Sequence, residues 1–420
     1  MSTPETPPPA DTLPKALPVS ESNWKDAETK MRLNGTTVHA GSFASASKIK
    51  FKQFLLFRAL WVRKKDRETW SKTLPGLIKW TKKAETMLKS YKSWQSYLRY
   101  FLKGGMEEGN FRVARYWQLE VAKVKSETDT EHGTSLTPGH LPIAYRTRLG
   151  GAMKRLNLNQ GTPSKSTNIP VYTSPSDKDS NGGDDGEDDE DSDGDQDDDV
   201  FIGQDDDSIV ESLESSLESV EKLTPGPVEL LGVMYPPTKD EQIVNCALID
   251  FLNALTVQFN KAGKWTIHRR ALKATFEKST FEARVDGYLE NNNKAEVLVE
   301  VKPGSRIAKE SAIRIQETAQ MVAFIVSDKD EKHPFKGRKK RLHLSQDRHE
   351  IYLTVAEYDY EYVRYLKDKD YKPTSKSFMR MQQFGPWDTL IRKDMEKLGP
   401  ILLGISLMAG AGESLIFQDE

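Results

Sequence analysis

An acidic pair and a lysine lie close together around one apolar stretch of the sequence. Asp286 precedes the stretch, and Glu300 and Lys302 fall inside residues 296–303, where valine and leucine dominate. A charged side chain on such a strand is costly to desolvate unless another group compensates it. Two carboxylates suit Mg²⁺ or Mn²⁺, and the ammonium could stabilise the nucleophile or the transition state of phosphodiester hydrolysis. The pattern therefore predicts metal-dependent hydrolysis of a polyanion.

The strand period decides which of these side chains can meet. Alternate residues of a strand share a face, so Glu300 and Lys302 lie opposite the valines of the same run. A hairpin turn centred on Asn293 would place Asp286 directly across from Glu300. We therefore expect two carboxylates and an ammonium at one end of a sheet, with the main-chain carbonyl of Val301 as a further metal ligand.

The elements that must position these residues are predicted between residues 236 and 420. A helix with an acidic first turn is followed by three strand-like runs, a second helix and a hairpin. The predicted ranges are 240–258, 266–276, 283–289, 295–302, 311–326, and 342–345 with 350–357. This order, α-β-β-β-α-β-β, predicts an α/β fold with a mixed central sheet and flanking helices.

The same residues resemble the signature of the PD-(D/E)XK, or restriction-endonuclease-like, phosphodiesterase superfamily. Asp286 is followed by thirteen residues and then by Glu300-Val301-Lys302, and Val285 stands where the family name has proline. The resemblance implies a core of order α-β-β-β-α-β and Mg²⁺-dependent nuclease activity. It implies that Asp286, Glu300 and Lys302 are catalytic and that Glu241, early in the first helix, is an additional metal ligand.

Two glutamines of the second helix extend the resemblance. Gln316 and Gln320 are similar to the glutamine that exonuclease-type members place after the lysine, which implies that they orient the catalytic groups. Phe324 stands where those members carry tyrosine. Residues 282–403 are also similar to a group of filamentous-fungal proteins that has no assigned substrate.

The charge of the chain is divided into opposed blocks. Lys and Arg number 61 and Asp and Glu 63, for a net charge of −2. Residues 176–222 hold 21 acidic residues and two lysines, whereas residues 48–125 hold 20 basic and six acidic ones. We expect a disordered Pro-rich tail at 1–45 and a low-complexity acidic linker at 126–235 with a possible short amphipathic helix.

The basic segment 46–125 is predicted to form a separate unit of helices that contacts nucleic acid. Apolar residues, many of them aromatic, recur at helical spacing, in one stripe from Phe51 to Val62, a second from Trp80 to Phe101 and a third near Trp117. The candidate phosphate-binding residues are Lys79, Lys82, Lys83, Lys89 and Lys92. A second basic group is predicted as a nuclear localisation signal or a phosphate-binding loop beside the site: Arg338, Lys339, Lys340 and Arg341.

Other functions are open at this point. The chain could bind nucleic acid or chromatin without catalysis, using the nuclease fold as a scaffold, or its acidic linker could act as an interaction adaptor. Candidate protein-binding segments there are Val200, Phe201 and Ile202, and the spaced apolar residues Ile209, Leu213, Leu217 and Val220. The expected partner is nucleic acid, DNA before RNA, and no membrane. A single cysteine and the absence of a long apolar run predict an intracellular protein, with the nucleus as the expected compartment.

Overall fold

A mixed sheet of eight strands forms the centre of the protein. The computed structural model describes residues 12–105, 108–123, 237–329, 333–371 and 376–418. The strand order is β1-β9-β8-β7-β6-β5-β2, and β10 pairs with β7; β3 and β4 form a separate two-stranded sheet. The strands are β1 Ala59–Arg63, β2 Lys264–Thr266, β3 Arg270–Thr275, β4 Thr280–Val285, β5 Gly287–Asn291, β6 Lys294–Lys302, β7 Arg338–Asp347, β8 Glu350–Asp359, β9 Met379–Asp388 and β10 Phe417–Gln418.

Helices cover both faces of this sheet. They are α1 Glu21–Lys30, α2 Phe51–Leu56, α3 Trp70–Thr73, α4 Ile78–Lys89, α5 Lys92–Lys103, α6 Phe111–Ala122, α7 Glu241–Thr256, α8 Glu310–Ser327, α9 Tyr360–Lys367 and α10 Arg392–Gly410. One apolar core joins helices α3 to α7 and α10 to the sheet, and the other joins α1, α2, α8, α9 and the β3–β4 sheet to the opposite face. The protein is therefore α/β, with a mixed multi-stranded sheet between two layers of helices. Within the described ranges, no helix combines the length and apolarity needed to cross a membrane.

The N-terminal region differs from the separate helical unit predicted for it. The helix that begins at Phe51 ends at Leu56, Arg58 takes a positive φ of 47°, and the chain continues as β1, which pairs in parallel with β9. Helix α4 packs against α10, and helix α6 packs against α7. The apolar stripes of this region are therefore buried against the C-terminal half, and all described residues belong to one compact unit.

Part of the predicted disordered tail is ordered. Helix α1 begins after Ser20, whose hydroxyl accepts a hydrogen bond from the backbone N–H of Asn23. Trp24 is 3% exposed, and its indole N–H donates to the main-chain oxygen of Leu55. Burial of a few large apolar groups outweighs the ordering entropy that composition alone suggested. The predicted acidic linker, with its candidate protein-binding segments, lies outside the described residues.

The β5–β6 hairpin determines which residues face each other near Asp286. Asn292 and Asn293 both have positive φ, as a tight two-residue turn requires. A β-bulge between Leu289 and Glu290 shifts the register by one residue, so that Gly287 pairs with Val299. From Leu289 to Gly287 the pairing is therefore the one expected from a turn centred on Asn293, and Asp286 follows directly beyond the last pair, with its N–H bonded to the carbonyl of Val299.

Helix α8 connects β6 to β7, which run in parallel. The valines at 297, 299 and 301 belong to the core that contains α7, while Leu298 belongs to the core that contains α8. Glu300 shares the parity of Leu298 and therefore faces α8, in agreement with the predicted alternation. The carboxyl end of β6 is thus enclosed between helices α7 and α8.

Candidate metal centre

Glu241 is held at the start of α7 by contacts with the end of β6. The Asp240 carboxylate caps the helix by accepting the backbone N–H of Gln242 at 2.9 Å. The N–H of Thr238 donates to the main-chain oxygen of Pro303 at 2.9 Å. Because Pro303 directly follows Lys302, this bond fixes the first turn of α7 beside the lysine.

Asp286 lies at the break between β4 and β5, where the chain passes from one sheet to the other. Its N–H donates to the carbonyl of Val299 at 3.0 Å, and its own carbonyl accepts a bond from the Asn245 side chain at 3.2 Å. Its carboxylate accepts the N–H of Val301 at 3.2 Å. Three hydrogen bonds therefore hold Asp286, a residue that belongs to neither strand: two fix its main chain and one fixes its carboxylate.

Glu300 is buried and held by two amides from one face of α8. The Gln320 Nε2 atom donates to Glu300 Oε2 at 2.5 Å, and the Gln316 Nε2 atom donates to Glu300 Oε1. Gln320 is held in turn, because its Oε1 lies 3.0 Å from His343 Nε2. Burial lowers the pKa of His343 to about 4, so at neutral pH the ring is uncharged and donates to this oxygen.

Lys302 bridges two of the acidic residues. Its Nζ atom lies 2.5 Å from Glu300 Oε1 and 3.0 Å from Glu241 Oε1. Burial lowers the pKa of Lys302, but the charges of Glu300 and Glu241 outweigh that effect and hold the pKa above its usual value. The lysine is therefore a permanent cation at neutral pH.

The three acidic side chains converge on one place. One carboxylate oxygen from each of Glu241, Asp286 and Glu300 lies within 4.8 Å of the other two. Burial, followed by the charge of Glu241, raises the pKa of Asp286, and burial raises the pKa of Glu300 to about 8. Carboxylates this close repel one another, and a bound cation would relieve that repulsion. Because all the candidate ligand atoms are oxygens, the site suits a hard divalent cation. We call Glu241, Asp286 and Glu300 the acidic triad; it could bind a metal ion.

Every residue predicted for catalysis is thus in contact with the acidic triad or part of it. Val301, predicted to offer its carbonyl, lies between Glu300 and Lys302, and its N–H is the one that binds Asp286. Gln316 and Gln320 both reach Glu300. Strand parity and the family resemblance predicted this set from the sequence.

The lysines predicted to bind nucleic acid lie elsewhere, on α4 and α5. Lys79, Lys82, Lys83, Lys89 and Lys92 are all exposed. Lys79 pairs with Glu413 at 2.9 Å, and the Lys83 ammonium lies 5.0 Å from the centroid of the Trp80 ring. The Trp80 ring is partly buried against the helical core. This surface therefore exposes lysine charges and not the face of an aromatic ring.

The second basic group forms the first residues of β7 instead of a loop beside the site. Arg338 pairs with Glu357 at 2.8 Å, Lys339 lies over the Phe335 ring, and the buried Arg341 binds Asp328 and the Tyr358 hydroxyl. These residues occupy the end of β7 remote from Asp347, which pairs with Lys302. Arg341 is six residues from that end, about 20 Å along the strand. Lys340, which is also buried, lies with Arg338 at the first residues of β7.

A buried ionic cluster next to the acidic triad was missed. Arg306, 2% exposed, donates from Nη2 to Glu317 Oε1 at 2.5 Å and to Ser345 Oγ at 2.9 Å, and from Nε to Asp347. Glu317 lies on α8 three residues before Gln320, and Asp347 is the register partner of Lys302. The cluster therefore joins α8 to the end of the β6–β7 pair. The sequence signal for this cluster is Glu317, an acidic residue on the apolar face of the predicted helix 311–326.

No family model, no curated protein and no solved structure matches this chain.

Proposed function

We propose that this protein is a nuclease that hydrolyses phosphodiester bonds with the help of Mg²⁺ or Mn²⁺. The observation that carries the proposal is the acidic triad, bridged by the buried Lys302. Three acidic side chains and an ammonium brought together at the end of an otherwise apolar strand are costly to maintain for stability alone. Such a combination is suited to the chemistry of an anionic phosphate ester.

The crossover from β6 to β7 supports a restriction-endonuclease-like core, since α8 connects these two parallel strands. The resemblance implies the order α-β-β-β-α-β, whereas five strands, β2 to β6, lie between α7 and α8, because residues 266–276 and 283–289 each contribute to two strands. Asp286 lies between β4 and β5, and Glu300 and Lys302 lie at the end of β6. The strands β8, β9 and β1 extend the sheet on the far side of β7.

Each residue of the site has a separate task in this proposal. Glu241, Asp286 and Glu300 hold the cation, which when bound would neutralise phosphate charge and lower the pKa of a water. Lys302 stabilises the negative charge that develops on the phosphate. Gln316 and Gln320 fix both oxygens of Glu300, so that this carboxylate is already oriented before the cation binds.

The test is cleavage of labelled single- and double-stranded DNA and RNA by the full chain, with Mg²⁺, with Mn²⁺ or with EDTA. We expect cleavage that needs the cation and falls at least about 100-fold in Glu300→Gln and Lys302→Met, since each removes a charge from the reacting centre. Glu277→Gln is the matched control, because Glu277 is exposed and lies at the far end of the β3–β4 hairpin. Equal cleavage by Glu300→Gln and the control variant would refute the proposal.

The exposed lysines favour a second candidate, binding of nucleic acid without catalysis. Five of them lie on the neighbouring helices α4 and α5. Binding through such contacts weakens steeply with salt. This candidate predicts salt-dependent binding that survives Asp286→Asn but is lost when Lys82, Lys83 and Lys89 are replaced together by alanine. It fails if the triple variant binds as the unmodified chain does.

A further inference from the structure

Arg269 lies beside the acidic triad, on the segment that connects β2 to β3. Strand β2 pairs with β5 through Thr266 and Tyr288, and β3 pairs with β4 through Arg270 and Val285. The connecting residues 267–269 therefore run alongside Asp286 and the glycine that follows it. A Cβ atom on Gly287 would lie 2.5 Å from the Thr266 carbonyl oxygen, which shows how closely the two segments approach.

The contact between Arg269 and Asp286 is a loose one. Arg269 Nε is 3.5 Å from Asp286 Oδ1, and the arginine side chain is 48% exposed, whereas that of Asp286 is 11% exposed. By contrast, the buried Arg306 makes close hydrogen bonds with three partners. An ion pair as open as that of Arg269 contributes little to folding, so its guanidinium can leave the carboxylate at small cost.

We propose that Arg269 binds a phosphate of the nucleic-acid substrate next to the acidic triad, and that it leaves Asp286 when the triad takes up a divalent cation. This inference rests on the proposed function. Asp286 cannot serve a divalent cation and Arg269 equally, because both attract the same oxygens. The released guanidinium carries five N–H donors in a planar arrangement that matches a phosphate group.

The exchange couples two binding events. Without a divalent cation, the Arg269 guanidinium is paired with the Asp286 carboxylate. An incoming cation must therefore compete with Arg269 for that carboxylate. With the cation bound, the same arginine is available to an anion. Binding linkage is reciprocal, so the cation strengthens phosphate binding and the phosphate strengthens cation binding by the same factor.

The experiment measures this coupling at equilibrium with the full chain. Affinity for a short labelled single-stranded oligodeoxynucleotide is determined with Ca²⁺ and with EDTA, and gels of the same samples check that the probe is intact. Mn²⁺ affinity is measured separately by titration calorimetry. The variants are Arg269→Ala, Arg269→Lys and the control Lys273→Ala, which removes an equal charge from an exposed position of β3.

We expect Ca²⁺ to strengthen oligonucleotide binding by the full chain and by Lys273→Ala. Arg269→Ala should lose about tenfold in affinity with Ca²⁺ and little with EDTA, since one charged contact to phosphate disappears. Its Mn²⁺ affinity in the absence of oligonucleotide should be equal or higher, because a competing cation is gone. Arg269→Lys should recover part of the loss. A purely structural role would alter the unfolding midpoint instead.

Two results overturn the inference, and they are distinguishable. If Mn²⁺ binds and Ca²⁺ strengthens oligonucleotide binding, but Arg269→Ala behaves like Lys273→Ala, then Arg269 has no role in phosphate binding and the proposed function stands. If the full chain does not bind Mn²⁺, then the metal centre itself is wrong and the role of Arg269 fails with it.

Discussion

Protonation of Glu300 should control how tightly the acidic triad binds a cation. The side chain is 3% exposed, and burial raises its pKa to about 8. At neutral pH a proton on Glu300 therefore competes with a cation for the same oxygens. Asp286, whose pKa is also raised by burial, acts in the same direction. Cation affinity should consequently rise with pH and become constant above the pKa of Glu300.

The size of this effect follows from the pKa. About 1% of the Glu300 side chains are ionised at about pH 6 and about half at about pH 8. The apparent affinity for Mn²⁺ should then increase about 50-fold over that interval. At neutral pH cation binding should therefore release protons from Glu300.

Titration calorimetry in two buffers of different ionisation enthalpy measures both the affinity and the number of protons released. Glu300→Gln should bind Mn²⁺ weakly and lose the steep part of the pH dependence. Asp250→Asn is a suitable control, because burial raises the pKa of Asp250 too, but this residue is nine positions along α7 from Glu241. An affinity that stays constant between about pH 6 and about pH 8, with no proton released, would refute the reasoning.

Two substitutions test the structural supports of the site. Gly287→Ala should destabilise the protein by about 1–3 kcal/mol, since the added methyl would lie 2.5 Å from the Thr266 oxygen; Gly76→Ala, where the nearest atom is 3.6 Å away, should be nearly neutral. Arg306→Met should cost about 3–5 kcal/mol by leaving Glu317 and Asp347 buried without their cation. Urea unfolding measures both, and a loss below about 1 kcal/mol in either case would contradict the packing described above.

The acidic triad shows which parts of the site were predictable from sequence. Face parity placed Glu300 and Lys302 together, because alternation is a local property of a strand. The closeness of Asp286 and Glu300 was predicted from a turn centred on Asn293, yet the register of the strands leading to them depends on a bulge at Leu289 that no local pattern indicated. The contact between Lys302 and α7 depends on a hydrogen-bonded link between Thr238, just before the helix, and Pro303, just after β6. These two residues are 65 apart in the sequence.

Long-range pairing explains what the sequence did not reveal. Strand β1 was predicted as part of a helix because Trp61 and Val62 continue the spacing of the preceding apolar residues. Its partner, β9, lies more than 300 residues away in sequence, and the turn at Arg58 that redirects the chain carries no glycine. The partners of Arg306 were equally hidden, since a buried arginine is recognisable only after its two carboxylates are placed.

The central claim is tested most directly by single-turnover cleavage of labelled DNA by the full chain with Mg²⁺, compared with Asp286→Asn under the same conditions. Asp286→Asn keeps the size of the side chain and removes only the charge offered to the cation. We predict cleavage that is abolished by EDTA, restored by Mg²⁺ and at least about 100-fold slower in the variant. Cleavage at the same rate by both proteins, or cleavage indifferent to EDTA, would contradict the assignment of the acidic triad as a metal-dependent nuclease centre.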